Sequence, residues 1–204
     1  MRRMKELSGD GYTLDIGFSA NPNMYLHGAA GIDIALPARI PENYATVARC
    51  DLNQESIPFE DETFDAVLAG DVIEHVESPS HFLREVNRVL KDGGKVIIST
   101  PQANDWWTTL HNWFFRPFIN DPDPGEHLHN WTILDMIRLL KKNGFAIDHM
   151  EGQFMRFPFI SLRIPVRPFP ILSWQIIYIA KKNQKPDTTV LTKVDGQWLN
   201  VPKS

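Results

Sequence analysis

Short, almost wholly apolar runs, separated by glycine, proline and acidic residues, dominate the first hundred positions of the chain. Tyr12 to Gly17 and Ala30 to Ile34 predict two buried strands, Thr46 to Arg49 a third and Phe64 to Ala69 a fourth. Runs that stay apolar on successive residues suit strands covered on both faces, as in parallel sheets. Between the first two, Phe18 to Ala29 holds Asn21-Pro22-Asn23 and Gly28, which leaves room for about two or three helical turns at most. The period then changes. Ser78 and Pro79 read as an N-cap and first-turn proline, after which Phe82, Leu83, Val86, Val89 and Leu90 share one helical face, with Gly93 as the stop. Lys95 to Thr100 predicts a fifth strand ended by Pro101. Thr132 with Asp135 opens a second helix that carries Ile133, Leu134, Ile137 and Leu140 to a Gly144 cap. Phe145 to Met150 alternates like a strand, and Trp174 to Ala180 predicts a last core strand. Val190 to Val194, Asp195-Gly196 and Gln197 to Val201 have the pattern of a hairpin. Strands alternating with helices predict an α/β, doubly wound, mostly parallel sheet whose ligand crevice lies beyond the carboxyl ends of its strands.

Composition narrows the class. A length of 204 residues with 43% hydrophobic content fits one globular domain over residues 1–182, with a polar extension at 183–204. A net charge of -4 offers no broad attraction for phosphate backbones, so generic nucleic-acid binding is not expected. Cys50 is the sole cysteine, which excludes an internal disulfide framework and suits a reducing cytoplasm. The basic start, Met1 to Glu6, is followed by polar residues where a secretory signal needs an apolar core. The most apolar stretch, Phe154 to Ala180, is interrupted by Arg156, Arg163, Arg167 and four prolines, so no transmembrane segment is expected. Contact with a membrane surface stays open.

The chemistry-bearing residues follow the strands in order: Asp15-Ile16-Gly17-Phe18-Ser19-Ala20-Asn21, then Asp33-Ile34, then Cys50-Asp51-Leu52, then Gly70 to Val76. A glycine at position 17 permits a tight turn and close approach of a ligand to the backbone. An acid ending the second strand is placed to accept from vicinal hydroxyls. Taken alone, Asp15 reads as a turn former, and Glu74 as either a surface residue or a ligand contact. With its Leu-Asp-Ile-Gly opening and its Val-Ile-Glu-His-Val segment after strand four, the chain resembles the class I S-adenosylmethionine-dependent methyltransferases, in their small-molecule branch, over residues 12–150. The resemblance implies a seven-stranded, Rossmann-like methyltransferase fold with an antiparallel C-terminal strand. It implies S-adenosylmethionine as cofactor and S-adenosylhomocysteine as product. It places Asp15, Gly17, Phe18 and Ser19 around the methionine part and Asp33 on the ribose. Ile34 and Leu52 then flank the adenine, Asp51 reads its edge, Asp71 and Val72 line the amino-acid end, and His75 is a further cofactor-binding residue. Ser19 and Asn21 stand where most members carry glycine, as the smallest polar substitutes.

An acceptor that must lose a proton needs a base, and histidine suits neutral pH. His75, His127 and His129 are the candidates, and His127 comes first because many relatives have a histidine just before the corresponding helix. The plainer reading is that such a histidine only bonds backbone groups. His127, His129, Glu126, Asp121 and Asp123 are rich in ligand atoms, but His-x-His lacks a third fixed ligand and Asp-Pro-Asp-Pro reads as a turn, so no metal is expected. Trp106, Trp107, Trp113, Phe114, Phe115 and Phe118, and a second aromatic run at 152–172, fall where this family builds its acceptor pocket. They suggest a glycan, lipid-linked or aromatic small molecule, with Arg116, Arg163 and Arg167 able to hold an anionic group. The second run reads equally well as a lid or oligomer interface. The short segment before strand one leaves an open pocket or one completed by a second copy in a homodimer. The expected reaction is methyl transfer to an oxygen or nitrogen atom. The alternatives are a catalytically degenerate binding subunit and, less well, a nicotinamide oxidoreductase, for which the glycine loop is wrong.

Overall fold

A computed structural model describes residues 1–104, 109–110, 113–114, 127–156, 163–183, 189–194 and 197–202, the last two ranges as backbone. Its elements run α1 (Arg2–Ser8), β1 (Thr13–Ile16), β2 (Ala29–Asp33), β3 (Tyr44–Arg49), β4 (Phe64–Gly70), α2 (Pro79–Val89), β5 (Leu90–Pro101), α3 (Ile133–Lys142), β6 (Phe145–Gly152), β7 (Phe154–Arg156), β8 (Arg163–Pro165), a 3-10 turn (Pro170–Leu172), β9 (Gln175–Lys182), β10 (Thr189–Val194) and β11 (Gln197–Pro202). Seven strands form one sheet in the order β3-β2-β1-β4-β5-β9-β6. β1 pairs in parallel with both β2 and β4, β2 with β3 and β4 with β5, while β9 lies antiparallel between β5 and β6. This is the mostly parallel sheet that the sequence pattern predicts, with the antiparallel strand near the C-terminus that the family resemblance implies. β7 with β8 and β10 with β11 are separate antiparallel pairs. The expected Asp195-Gly196 turn lies outside the described residues, as do Trp106, Trp107, Phe115, Arg116 and Phe118. No helix among the described residues is long and apolar enough to cross a membrane.

Residue-by-residue alternation sends each central strand into two cores. Leu14, Ile16, Val67, Ala69, Val96, Ile98, Ile176 and Tyr178 pack with Phe82, Leu83 and Val86 of α2 and with Met136 and Leu140 of α3. Ala66, Leu68, Ile97, Ile177 and Ile179 pack on the other face with Met4 of α1, Phe18, Leu26 and Tyr44.

The second face departs from expectation. No helix forms between β1 and β2. Asn21-Pro22 breaks the chain, and the Asn23 side chain accepts from the Tyr25 N–H at 3.2 Å, an Asx-type turn that competes with helix. Phe18 and Leu26, both fully buried, do the covering instead. α1 was invisible in the sequence pattern because only Met4 and Ser8 of its residues are buried. It is tied down by the Arg3 guanidinium, whose Nε donates to Glu151 Oε2 at 2.8 Å.

Two helix ends also differ from the sequence reading. Ser78 occupies the N-cap position of α2, but its side chain makes no capping hydrogen bond. The helix stops at Val89 rather than running to Gly93, because Leu90 turns extended to pair with Phe64, and Gly93, with φ 72°, makes a turn within β5. α3 follows expectation: the Thr132 hydroxyl accepts the Asp135 N–H at 3.2 Å, and Gly144 follows its end with φ 87°.

Burial decides which side chains hold these layers together. Leu83→Ala should cost about 3 kcal/mol in urea unfolding, as a fully buried leucine truncated against the sheet. Leu134→Ala, on the exposed face of α3, should cost less than about 0.5 kcal/mol.

Candidate active site

Parallel pairing on both sides of β1 puts Ile16 opposite Ile32 and Ala69, so the loops that follow β1, β2 and β4 emerge together. The Gly17 N–H donates to the Ile32 carbonyl at 2.9 Å. Gly17 has φ 76°, and a Cβ there would stand 2.8 Å from Val72 Cγ2, so both conformation and space require glycine. The Ser19 N–H donates to Asp33 Oδ2 at 2.9 Å, and its hydroxyl donates to the Ala35 carbonyl at 2.6 Å. A carboxylate has about four lone-pair positions, so Asp33, which also accepts weakly from the Ala35 N–H, keeps capacity for a ligand. Beside it, Ile34 is 58% exposed and presents an open apolar face. Asp51 uses Oδ1 to accept the Asn53 N–H at 3.0 Å and so starts the turn after β3, while Leu52 packs half-buried against the main core.

Two of the expected loop residues turn inward. Phe18 has no exposed surface and packs its ring 4.8 Å from that of Tyr44, so it supports the loop from below. Asp15 is 3% exposed and accepts a hydrogen bond from the Tyr44 hydroxyl, which in turn accepts the Asn23 N–H at 2.9 Å. Asp15 faces this side because β1 alternates, with Leu14 and Ile16 on the other face; Phe18 lies beyond the strand, after the Gly17 turn.

After β4 the backbone is strained. Asp71 has φ 55°, unusual for a residue with a side chain, and is held there from three directions. Its N–H donates to the Ser99 carbonyl at 2.9 Å, and its Oδ1 accepts from the Ser99 hydroxyl and the Gln175 amide. Glu74 follows, 1% exposed, with Oε2 accepting from the Thr100 hydroxyl at 3.1 Å and Oε1 without a partner. Burial pushes its carboxyl up to about 7.

The carbonyl of Glu74 accepts the N–H groups of Leu128 and His129, at 2.8 and 3.1 Å, and so fastens the segment before α3 onto this loop. That fastening brings His127 to His75, ring centroids 4.8 Å apart and edge to face. One ligand-type atom each from Glu74, His75 and His127 then lie within 4.8 Å of one another. His129 is drawn away: its Nε2 sits 3.0 Å from the Val76 carbonyl, the plain backbone-bonding role. Asp121, Asp123 and Glu126 are outside the described residues. Sequence reasoning therefore named all three residues singly but missed that they group. Glu74 Oε1, Gln102 Oε1 and Trp131 Nε1, all buried without partners, lie in the segments after β4 and β5. Trp113, Phe114, Arg163 and Arg167 are exposed.

The loops after β1 and β2 offer a ligand three kinds of contact. A glycine turn leaves the backbone approachable, Asp33 retains acceptor capacity, and Ile34 offers an apolar face. A family model described as a methyltransferase domain matches residues 8–150. A protein of Mycolicibacterium smegmatis named as a probable S-adenosylmethionine-dependent methyltransferase is 28% identical over 122 residues, covering 60% of this chain and 44% of its own. The chain spans at most about half the length of such curated relatives. Among solved structures, a SAM-dependent methyltransferase of Thermotoga maritima shares the fold with a TM-score of 0.64 at 17% identity, over 89% of this chain and 87% of that one. The 1,6-didemethyltoxoflavin-N1-methyltransferase of Burkholderia thailandensis, solved with 1,6-didemethyltoxoflavin and S-adenosylhomocysteine bound, gives 0.58 at 15% identity, over 88% and 74%.

Beneath the crevice, burial raises the Asp15 carboxyl to about 6 from 3.8, outweighing the Tyr44 hydrogen bond. A carboxyl whose pKa is raised on folding stabilises the fold below its unfolded value and loses that stability as pH rises through about 6. The loss between about pH 4 and 6 amounts to about 3 kcal/mol. Asp15→Asn, which can still accept from Tyr44, should lack this loss, so denaturant unfolding at pH 5 and 8 should show it gaining on the parent at the higher pH.

Proposed function

The chain belongs to the S-adenosylmethionine-dependent methyltransferases, and we propose that it methylates an oxygen or nitrogen atom of a small molecule. The observation that carries this reading is the placing of His127 against His75 and buried Glu74, directly after Asp71 and Val72. Proton-accepting groups at that point favour an acceptor whose heteroatom must lose a proton before it can attack.

In this reading Gly17 and Ser19 hold the methionine part of the cofactor by backbone contacts, Asp33 accepts the ribose hydroxyls, and Ile34 and Leu52 flank the adenine, with Asp51 at its edge. Asp71, Val72 and His75 border the amino-acid end. The cofactor supplies a methyl group on a positively charged sulfur, which the protein need only align with the acceptor in a site that excludes water. His127, the exposed member of the trio, takes the acceptor's proton. Exposed Trp113 and Phe114 favour an acceptor with an apolar or ring-bearing part.

Calorimetry with S-adenosylhomocysteine should give micromolar binding to the parent and binding roughly 10- to 100-fold weaker to Asp33→Ala, which loses charged hydrogen bonds. Equal binding by the two proteins would reject the ribose assignment. With an acceptor found by screening hydroxyl- and amine-bearing metabolites, His127→Ala should cut kcat by about 100-fold or more while leaving cofactor affinity within a factor of about 2. Full turnover in that variant would remove His127 from the reaction.

A further inference from the structure

We propose that Glu74, His75 and His127 form a binding site for one divalent transition-metal ion, which holds the oxygen or nitrogen of the acceptor. The second half of this statement rests on the methyl-transfer reading above; the first half stands on the geometry of the three side chains.

Two imidazoles and one carboxylate make a ligand set suited to zinc, cobalt, nickel or iron in the divalent state, and softer than the all-oxygen shells of magnesium and calcium. Their candidate ligand atoms are already within 4.8 Å of one another. Ligands around a zinc-sized ion stand roughly 3.3 Å apart, from metal distances of about 2.0 Å. Side-chain movements of about an ångström close that difference, and His127 is the exposed member of the group.

The carboxylate supplies the independent sign. Glu74 is almost wholly buried, one oxygen is fixed by Thr100, and the other has neither solvent nor a hydrogen-bond partner. An unpaired buried carboxylate oxygen is costly, and a cation beside it removes that cost. Thr100 then acts as the outer partner that orients a metal-binding carboxylate. The two backbone bonds from Leu128 and His129 to the Glu74 carbonyl fix His127 opposite it without using either imidazole. Three protein ligands leave at least one position open, the arrangement of catalytic rather than structural ions. An acceptor hydroxyl bound there loses its proton to solvent more readily and keeps its electron pair for the incoming methyl group. The base role of His127 is that of the metal-free protein; with the ion bound His127 is a ligand, and the ion in its place makes the acceptor's proton easier to lose.

The test uses the untagged full chain, stripped with chelator and titrated with Co(II) and with Zn(II), in the absence of cofactor and acceptor. One ion per chain should bind with micromolar affinity, and Co(II) should develop the visible absorption of a nitrogen- and oxygen-ligated site. Glu74→Gln and His127→Ala should each weaken binding by at least about 100-fold, the second at an exposed position where folding is safe. Asp33→Ala should bind Co(II) as the parent does while binding S-adenosylhomocysteine roughly 10- to 100-fold more weakly, which separates failure of the cofactor reading from failure of the metal site. No binding at millimolar Co(II), or binding unchanged in both His127→Ala and Glu74→Gln, overturns the proposal.

Discussion

Parallel pairing on both sides of β1 is the constraint from which the rest of this molecule follows. Thr13–Ile16 is only four residues long and buried throughout, with β2 on one side and β4 on the other. Because all three strands run the same way, their carboxyl ends coincide, and the turns bearing Gly17, Asp33 and Asp71 open into one space. Covering both faces leaves no room for polar chemistry in the bodies of the strands, so it collects at their ends. Asp15 is the exception. It is a carboxyl buried within β1 itself, supported by Tyr44, and its raised pKa measures what that burial costs.

The same sheet is finished differently on its two faces. α2 and α3 cover one with conventional amphipathic stripes. The other is closed by α1, by Phe18 and Leu26 from the loop between β1 and β2, and by Tyr44. A loop covers the sheet here in place of a helix: Phe18 and Leu26 supply the apolar cover, the Asn23 side chain accepts the Tyr25 N–H and donates to the Met1 carbonyl, and the Asn43 amide donates to the Asn23 carbonyl. This arrangement ties the glycine turn to Tyr44 and α1 through the core beneath it.

The segment after β4 is organised by a different device. Asp71 sits in a left-handed backbone conformation that costs about 1–3 kcal/mol and persists because β5 and β9 hold it through Ser99 and Gln175. The kink aims the following residues back across the carboxyl ends of the strands, and the Glu74 carbonyl then captures the segment leading to α3. Strain in one turn thus delivers His127, a residue of a later loop, to the first half of the sheet.

The sequence by itself determined the order and type of the central strands, the helices α2 and α3, and the positions of Gly17, Asp33 and Asp51-Leu52, because these depend on local periodicity and on turn chemistry that reads along the chain. It overstated Phe18 and Asp15 as open ligands: strand alternation sends the Asp15 side chain inward, and the turn at Gly17 sends Phe18 onto Tyr44. It also missed α1, whose few buried residues leave no periodic trace. Only the tertiary structure decided that Glu74, His75 and His127 are neighbours. That decision runs through the Leu128 and His129 backbone bonds to Glu74, and backbone groups are the same in every residue, so no pattern of side chains along the chain can announce where they will pair.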